Sequence, residues 1–290
     1  MQVEVTQLCI YPIKSCAGIP LQHSEIDHRG LKWDREWVIV DEQGQMLTQR
    51  TAPIMTLIQP TITEHSLLLQ APTMPELAVS LDLDESVAMR LRIWDDLTLG
   101  ADQGEAAAAW LSQFLQQPCR LLRVHTKAQR GLSQTWVRKW LQADLAPAEA
   151  PDLAQTHFGF ADGFPFLICN QASLDELNAL IVQQGADEPI EIERFRPNIV
   201  IQGLEAYEED HLLSLVGAGL QFAKLKNCTR CPLPNVNPVT AAIGLQPGLA
   251  LRDSRRTLEG VTFGVNAALF GLEAPATLTV GQQLEAEFNF

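Results

Sequence analysis

The chain has 290 residues, 46% of them apolar, and its 21 Lys and Arg against 35 Asp and Glu leave a net charge of −14. That is ample apolar material for one large core or two smaller ones, and too much for a disordered chain. The acidic balance excludes general binding of a nucleic-acid polymer, which needs a basic surface to release counterions, while leaving room for a local basic pocket around one anionic ligand. No apolar run approaches the ~20 residues of a bilayer-crossing helix, so no membrane insertion is expected. The start alternates like a strand, with no basic segment leading into an apolar one, and no secretory leader is predicted. Six cysteines in such a chain do not read as a disulfide framework, and a cytoplasmic location is expected.

In chain order, Val3 to Ile10 reads as a strand ending at Tyr11-Pro12. Glu36 to Asp41 reads as a second, and the turn Asp41–Gly44 predicts a hairpin returning over Met46 to Arg50. Short strands are expected near Leu57-Ile58, Ser66–Leu69, Ala78–Leu81 and Ala88–Ile93. Glu105 to Gln116 is the clearest helix, with Trp110, Leu111, Phe114 and Leu115 at helical spacing and Pro118 behind it. Arg120 to His125 reads as another strand. Residues 126–156 are polar and Ala/Gln-rich, with a short amphipathic helix predicted around Trp136–Leu141, and read as a boundary or a lid.

Beyond His157, Phe164–Cys169 predicts a buried strand and Asn170–Gln184 a helix in which Ser173 and Glu176 have capping-box spacing. Arg196–Ile201 reads as a strand whose early proline marks an edge or a loop entry. Leu220–Leu225 leads into Cys228, and Ala276–Phe290 reads as strands broken by Gly281. Many short strands and few helices predict a mainly β (α+β) fold of two β-barrel-like units with peripheral helices.

Five segments carry candidate chemistry. Cys228-Thr-Arg-Cys231 lacks the second ligand pair of a zinc site, and Pro232 and Pro234 oppose the helix of a redox dithiol. What remains is a single metal-ligating thiolate beside Arg230, or two small buried hydrophobes. Tyr11-Pro-Ile-Lys14-Ser15-Cys-Ala-Gly18 puts ammonium, hydroxyl and backbone donors on one turn, suited to a phosphate or to nothing more than a surface turn. Trp33-Asp-Arg35-Glu-Trp37 offers an arginine that either stacks on the tryptophans or completes an oxyanion grip with Lys14. Arg194-Phe-Arg196-Pro-Asn198 is a basic cluster that could simply pair with Glu191 and Glu193, and Asp162-Gly163 is at least a turn.

Taken in order, Tyr11-Pro-Ile-Lys-Ser-Cys-x-Gly, Trp33-Asp-Arg-x-Trp, Gly104-Glu-Ala-Ala-Ala-x-Trp, Asp162-x-x-Pro-Phe-Leu, Arg194-Phe-Arg-Pro-Asn and Cys228-x-Arg-Cys231 resemble the MOSC-domain proteins that carry an N-terminal MOSC β-barrel domain. That group includes the mitochondrial amidoxime-reducing component and bacterial MOSC proteins that resist N-hydroxylated bases. The resemblance implies an N-terminal unit over residues 1–120, a MOSC unit over 121–290, and a molybdenum cofactor (Mo-molybdopterin). It implies that Cys231 ligates the metal, that Lys14, Ser15 and Arg35 hold the cofactor phosphate, that Arg196 and Asn198 contact the pterin, and that Asp162 is an active-site carboxylate. The implied activity is reduction of small N-hydroxylated substrates. The C-x₄-C-x₂-C spacing of a plant-type iron–sulfur cluster is missing, so an external electron donor of ferredoxin or flavin-reductase type is expected. An alternative is a module that binds or sulfurates the cofactor without reductase activity. Two departures stand out: Asn237-Pro-Val-Thr-Ala241 where the family usually shows Asp-Pro-x-Thr-Gly, and Gly163-Phe164 where some members carry small hydroxyl residues.

Overall fold

The strand Gln2–Ile10 buries Val3 and Val5 at odd positions but Leu8 and Ile10 at even ones. A register shift between Val5 and Gln7 reconciles the two, because one extra residue flips the side-chain alternation and keeps all four in the core. In the structure, a computed structural model that describes residues 1–186, 188–272 and 274–289, this strand sits between Ile199–Gln202 and Gln283–Phe288. The sheet continues through Leu212–Gly217, Leu220–Thr229 and Gly260–Leu269, which pairs with Phe166–Asn170; that strand pairs in turn with Ile199–Gln202 and closes a seven-stranded barrel. At the closing seam a Cβ on Gly264 (φ 71°) would lie 2.7 Å from Cys169 Sγ and 2.9 Å from the Ile168 carbonyl oxygen, so this approach requires glycine. Leu8, Ile26, Phe166, Ile201, Phe222 and Leu269 are among the residues that fill this core.

After Ile10 the chain leaves the barrel, and Ile13 bridges in parallel to Trp37. It thereby enters a half-barrel built from a four-stranded sheet, in the order Trp37–Val40, Arg120–Val124, Asp96–Asp102, Ala88–Ile93, and the meander Gln59–Ile62, Ser66–Gln70, Leu77–Ser80. The helix Glu105–Leu115 closes this core with Ala107, Trp110, Leu111, Phe114 and Leu115, and Gln116 ends it in a left-handed conformation. The expected mainly β architecture with few helices therefore holds. The first strand joins a barrel otherwise built from residues beyond 165, which puts Tyr11–Ser15 at the junction of the two β units.

Several local expectations change. The return over Met46–Arg50 is a single bridge from Met46 to Val40; Trp37–Val40 finds its strand partner in Arg120–Val124 instead. Leu57 ends a 3₁₀ turn, Pro53–Leu57, and the strand starts at Gln59. The helix Gln171–Gln183 is capped by Asn170, whose side-chain oxygen accepts from the Ala172 N–H at 3.3 Å. Ser173 lies inside it, fully buried, and donates at 2.7 Å to Glu209, a carboxyl pushed up to about 7 by burial. The strand predicted from Arg196 starts at Ile199 and is central, so Pro197 marks a loop entry. The C-terminal strands are Ala276–Thr279 and Gln283–Phe288, and Phe290 lies outside the described residues.

The segment 126–156 holds two helices, Gln134–Leu141 and Pro151–Gln155. Leu132, Val137, Trp140 and Leu153 pack on Leu213, Leu225, Ala268 and Phe270 of the barrel wall, and Trp140 Nε1 donates at 2.9 Å to the Leu213 carbonyl. None of its residues lines the cavity described below, which corrects the lid reading: its apolar face is spent on the outside of the barrel.

Candidate functional site

Loops of both β units meet where the half-barrel adjoins the barrel, around a cavity of about 250 Å³. Lys14, Ser15, Arg35, Asp162, Arg196, Asn198 and Cys231, the seven residues singled out from the sequence, all line it. Three of them hold left-handed backbone, Ser15 (φ 69°), Arg35 (φ 48°) and Arg196 (φ 59°), and so does Trp94 (φ 54°) on the same wall. Non-glycine residues adopt this region at a cost, and such strain concentrates at functional sites.

Each loop is anchored by backbone contacts. The Lys14 N–H donates to the Trp37 carbonyl at 2.8 Å, and the Arg35 N–H to the Tyr11 carbonyl at 3.0 Å, so the two motifs are sewn together. Gly159 fits because a Cβ there would lie 2.7 Å from the Arg35 carbonyl oxygen, and this close approach brings the 159–162 loop onto Arg35. Asn198 uses its amide as a brace: its Oδ1 accepts from the Leu167 N–H at 3.1 Å and its Nδ2 donates to the Cys9 carbonyl at 3.3 Å.

The buried Lys14 ammonium donates to the Phe160 carbonyl at 2.8 Å and to Asp162 Oδ1. Burial lowers the pKa of this ammonium against the pull of Asp162. At Asp162 loss of water alone would raise the pKa, but Lys14, the Trp94 indole N–H at 2.9 Å and Arg35 outweigh it and hold the carboxyl below the usual carboxylate range. Asp162 is therefore ionised at neutral pH.

Arg35 and Arg196 sandwich the buried Tyr11 ring, their guanidinium carbons 4.4 and 4.1 Å from its centroid. Arg35 is neutralised by both oxygens of Asp34 at 2.7 Å, whereas Arg196 donates through Nη1 to the Cys16 carbonyl at 2.6 Å and, among the described residues, leaves Nη2 buried without a partner. Among the described residues, neither Glu191 nor Glu193 bridges Arg194 or Arg196, so the ion-pair reading of that cluster gives way to a cavity-facing one. The arginine over Trp33 and Trp37 is Arg123, at 5.2 and 5.1 Å, while Arg35 is turned to Tyr11.

Arg230 donates through Nη1 to Cys228 Sγ at 3.1 Å and through Nη2 to the Phe195 carbonyl at 3.0 Å, with Nε buried and unpartnered. All six cysteines are free. Burial pushes the thiols of Cys9 and Cys16 up to about 11 and about 12, and raises those of Cys119 and Cys169. The two sulfurs on the cavity wall are the half-buried Cys228 and Cys231.

Sequence reasoning missed Thr48, Arg50, Trp94 and Lys226 on the wall, and Arg130 behind it. Arg130 is buried and donates to the carbonyls of Gly159 (2.7 Å), Ala161 (2.6 Å) and Asp162 (3.1 Å), while pairing with Asp96 at 3.0 Å. It clamps the loop that carries Asp162. Arg130→Ala leaves these acceptors without a donor, and a loss of about 2–4 kcal/mol is expected by chemical denaturation. An unchanged unfolding midpoint would show that the clamp is dispensable.

The wall thus carries six cationic side chains (Lys14, Arg35, Arg50, Arg196, Lys226 and Arg230), two thiols and one carboxylate, in a protein of net charge −14. That donor set suits a large anionic, phosphate-bearing ligand with a soft metal, and the orphaned N–H groups of Arg196 and Arg230 are spare donors facing the same need. Asn237 at the head of the 237–241 turn accepts from the Val239 and Thr240 N–H groups at 2.9 and 3.1 Å, so an amide supplies the turn geometry a carboxylate would. Ala241 takes a positive φ of 60° where glycine is usual.

Comparisons with known proteins give the family. The MOSC N-terminal beta barrel domain matches residues 2–118 and the MOSC domain residues 155–285. Mitochondrial amidoxime-reducing component 1 of Xenopus laevis is 32% identical over 278 residues, covering 92% of this chain and 76% of that protein. The human protein of the same name is 31% identical, covering 96% and 81%. The molybdenum cofactor sulfurase of Danio rerio is 30% identical over 91% of this chain, which spans only 32% of that protein. With both domains in order and such relatives matched over nearly its whole length, the chain belongs to the family of MOSC proteins with an N-terminal MOSC β-barrel domain.

Proposed function

We propose that this chain is a molybdenum-cofactor-dependent reductase of N-hydroxylated compounds, R–NHOH + 2e⁻ + 2H⁺ → R–NH₂ + H₂O, with electrons from a separate ferredoxin- or flavin-reductase-type protein. The observation that carries it is the convergence of a cationic, thiol-bearing wall with the ionised Asp162 in one cavity, in a chain similar to proteins named for amidoxime reduction. In this reading Cys231 ligates the metal, and Lys14, Ser15, Arg35, Arg196 and Asn198 hold the cofactor. The bound cofactor would supply the two-electron chemistry. Asp162, kept ionised by Lys14, accepts a hydrogen bond from the substrate and orients it, and the protonated Lys14 beside it is the local proton carrier. The division into units 1–120 and 121–290 is part of the same proposal.

We further read the protein as cytoplasmic, in keeping with its free cysteines; no described helix is long and apolar enough to cross a membrane. The match to a molybdenum cofactor sulfurase favours a second reading, a module that binds or sulfurates the cofactor without reductase turnover. The two separate in one assay: cofactor-loaded protein, benzamidoxime as substrate and reduced methyl viologen as electron source. The reductase reading expects one benzamidine per two viologens oxidised. Loaded protein that forms no benzamidine would leave the handling module.

A further inference from the structure

Two residues on the cavity wall, Arg50 and Trp94, have no part in the cofactor grip proposed above. Trp94 tops the hairpin between Ala88–Ile93 and Asp96–Asp102, is 39% exposed, and is pinned by its indole N–H to Asp162 Oδ1 at 2.9 Å. The guanidinium carbon of Arg50 lies 4.0 Å from its ring centroid. Arg50 is exposed, and among the described residues its side chain has no hydrogen bond or ion pair; the tryptophan is what holds it. An exposed stack of this kind is weak and easily exchanged. Asp162 spends Oδ1 on Lys14 and Trp94, and among the described residues its Oδ2 takes no hydrogen bond.

We propose that the Trp94 face and Asp162 Oδ2 form a subsite for planar N–C–N groups, with Arg50 as an internal occupant that substrate displaces. This rests on the reductase reading and names the class of substrate it prefers. The guanidinium that sits on the ring is itself a planar, delocalised CN₃ cation. An amidoxime, an N-hydroxyguanidine or an N-hydroxylated aminopyrimidine presents a similar plane, and its N–H groups can donate to the spare carboxylate oxygen while the plane lies on the indole. An N-alkylhydroxylamine has no such plane and loses the stacking contact. The subsite therefore discriminates by shape and hydrogen bonding, with Trp94 as a specificity-determining residue and Arg50 as a competitor.

Isothermal titration of the cofactor-loaded protein with benzamidine, and with the uncharged benzamide of the same shape, reads this without turnover. Trp94→Ala is expected to weaken benzamidine about tenfold, and Trp94→Phe, which keeps an aromatic face, much less. Arg50→Ala is expected to tighten both ligands about two- to fivefold, because it frees the ring. Tightening of benzamidine alone would mean that only charge repulsion was relieved, and would overturn the displacement idea. Equal binding by wild type and Trp94→Ala, or no binding by wild type, would overturn the subsite. In turnover, Trp94→Ala should raise KM for benzamidoxime more than for N-hexylhydroxylamine. If binding follows this pattern while no N-hydroxylated substrate is reduced, the subsite stands and the reductase reading falls.

Discussion

Replacing Cys231 by alanine is expected to lower benzamidoxime reduction at least about 100-fold, and Cys228→Ala about tenfold or less. Both sulfurs lie on the cavity wall, so the asymmetry comes from their neighbours. Cys228 is at the end of the strand Leu220–Thr229 and accepts a hydrogen bond from Arg230, which also ties the cysteine loop to the Phe195 carbonyl. Losing the Cys228 sulfur removes one contact of a guanidinium that keeps another. Cys231 lies past the strand end, ahead of the 3₁₀ turn Leu233–Asn235, and no side-chain hydrogen bond to its sulfur is formed among the described residues. In the proposed site its loss removes a metal ligand, a larger change than losing a group around the ligands, which typically costs 10–100-fold. Steady-state rates normalised to pterin content check this, and wild-type rates in Cys231→Ala would remove the residue from the mechanism.

The second large effect is expected at Lys14. Methionine matches its length and its buried stem, so Lys14→Met should fold, but the Phe160 carbonyl loses its Lys14 donor and Asp162 keeps only the Trp94 N–H. We expect bound pterin and turnover to fall on the order of 100-fold, since a buried cation aimed at an anionic group is worth far more than one in water. The pH dependence gives an independent signature. Asp162 has a folded-state pKa below its unfolded value, so its pairing stabilises the protein above the ordinary carboxylate range and is lost as pH falls through the depressed value. Without Lys14, its largest lowering influence, that carboxyl returns toward its ordinary value, and this acid-side loss shrinks. Unfolding midpoints between pH 7 and 2, wild type beside Lys14→Met, read the difference, which opens below the ordinary carboxylate range; parallel curves would mean that the ion pair does not set the state of Asp162.

What the sequence made legible followed from local pattern. Ala88–Ile93 alternates and is a strand at those limits, and the apolar spacing of Trp110, Leu111, Phe114 and Leu115 marks the helix face that is buried. The seven candidate residues came from ordered motifs, and three of those motifs hold a residue in an uncommon positive-φ conformation, Ser15, Arg35 and Arg196. Features set by distant contacts were not legible. The closure of Phe166–Asn170 on Gly260–Leu269 joins segments about a hundred residues apart. Ser173 has capping spacing but serves the buried Glu209, a tertiary partner that overrides the local pattern. Arg130 lies in a polar stretch that reads as a surface insertion, yet its guanidinium sits under the Asp162 loop and donates to three of its carbonyls, a contact between segments some thirty residues apart. Trp94 gave no signal because a lone aromatic at a hairpin tip acquires meaning only from what the hairpin leans on.

The central claim is that this cationic, thiol-bearing cavity is a molybdenum-cofactor site. Its most direct test is the molybdenum and oxidised-pterin content of the wild-type protein purified from a cofactor-competent host. The account predicts close to one metal and one pterin per chain. A well-folded protein containing neither would contradict it and leave a β-barrel scaffold with a structural pair of cysteines.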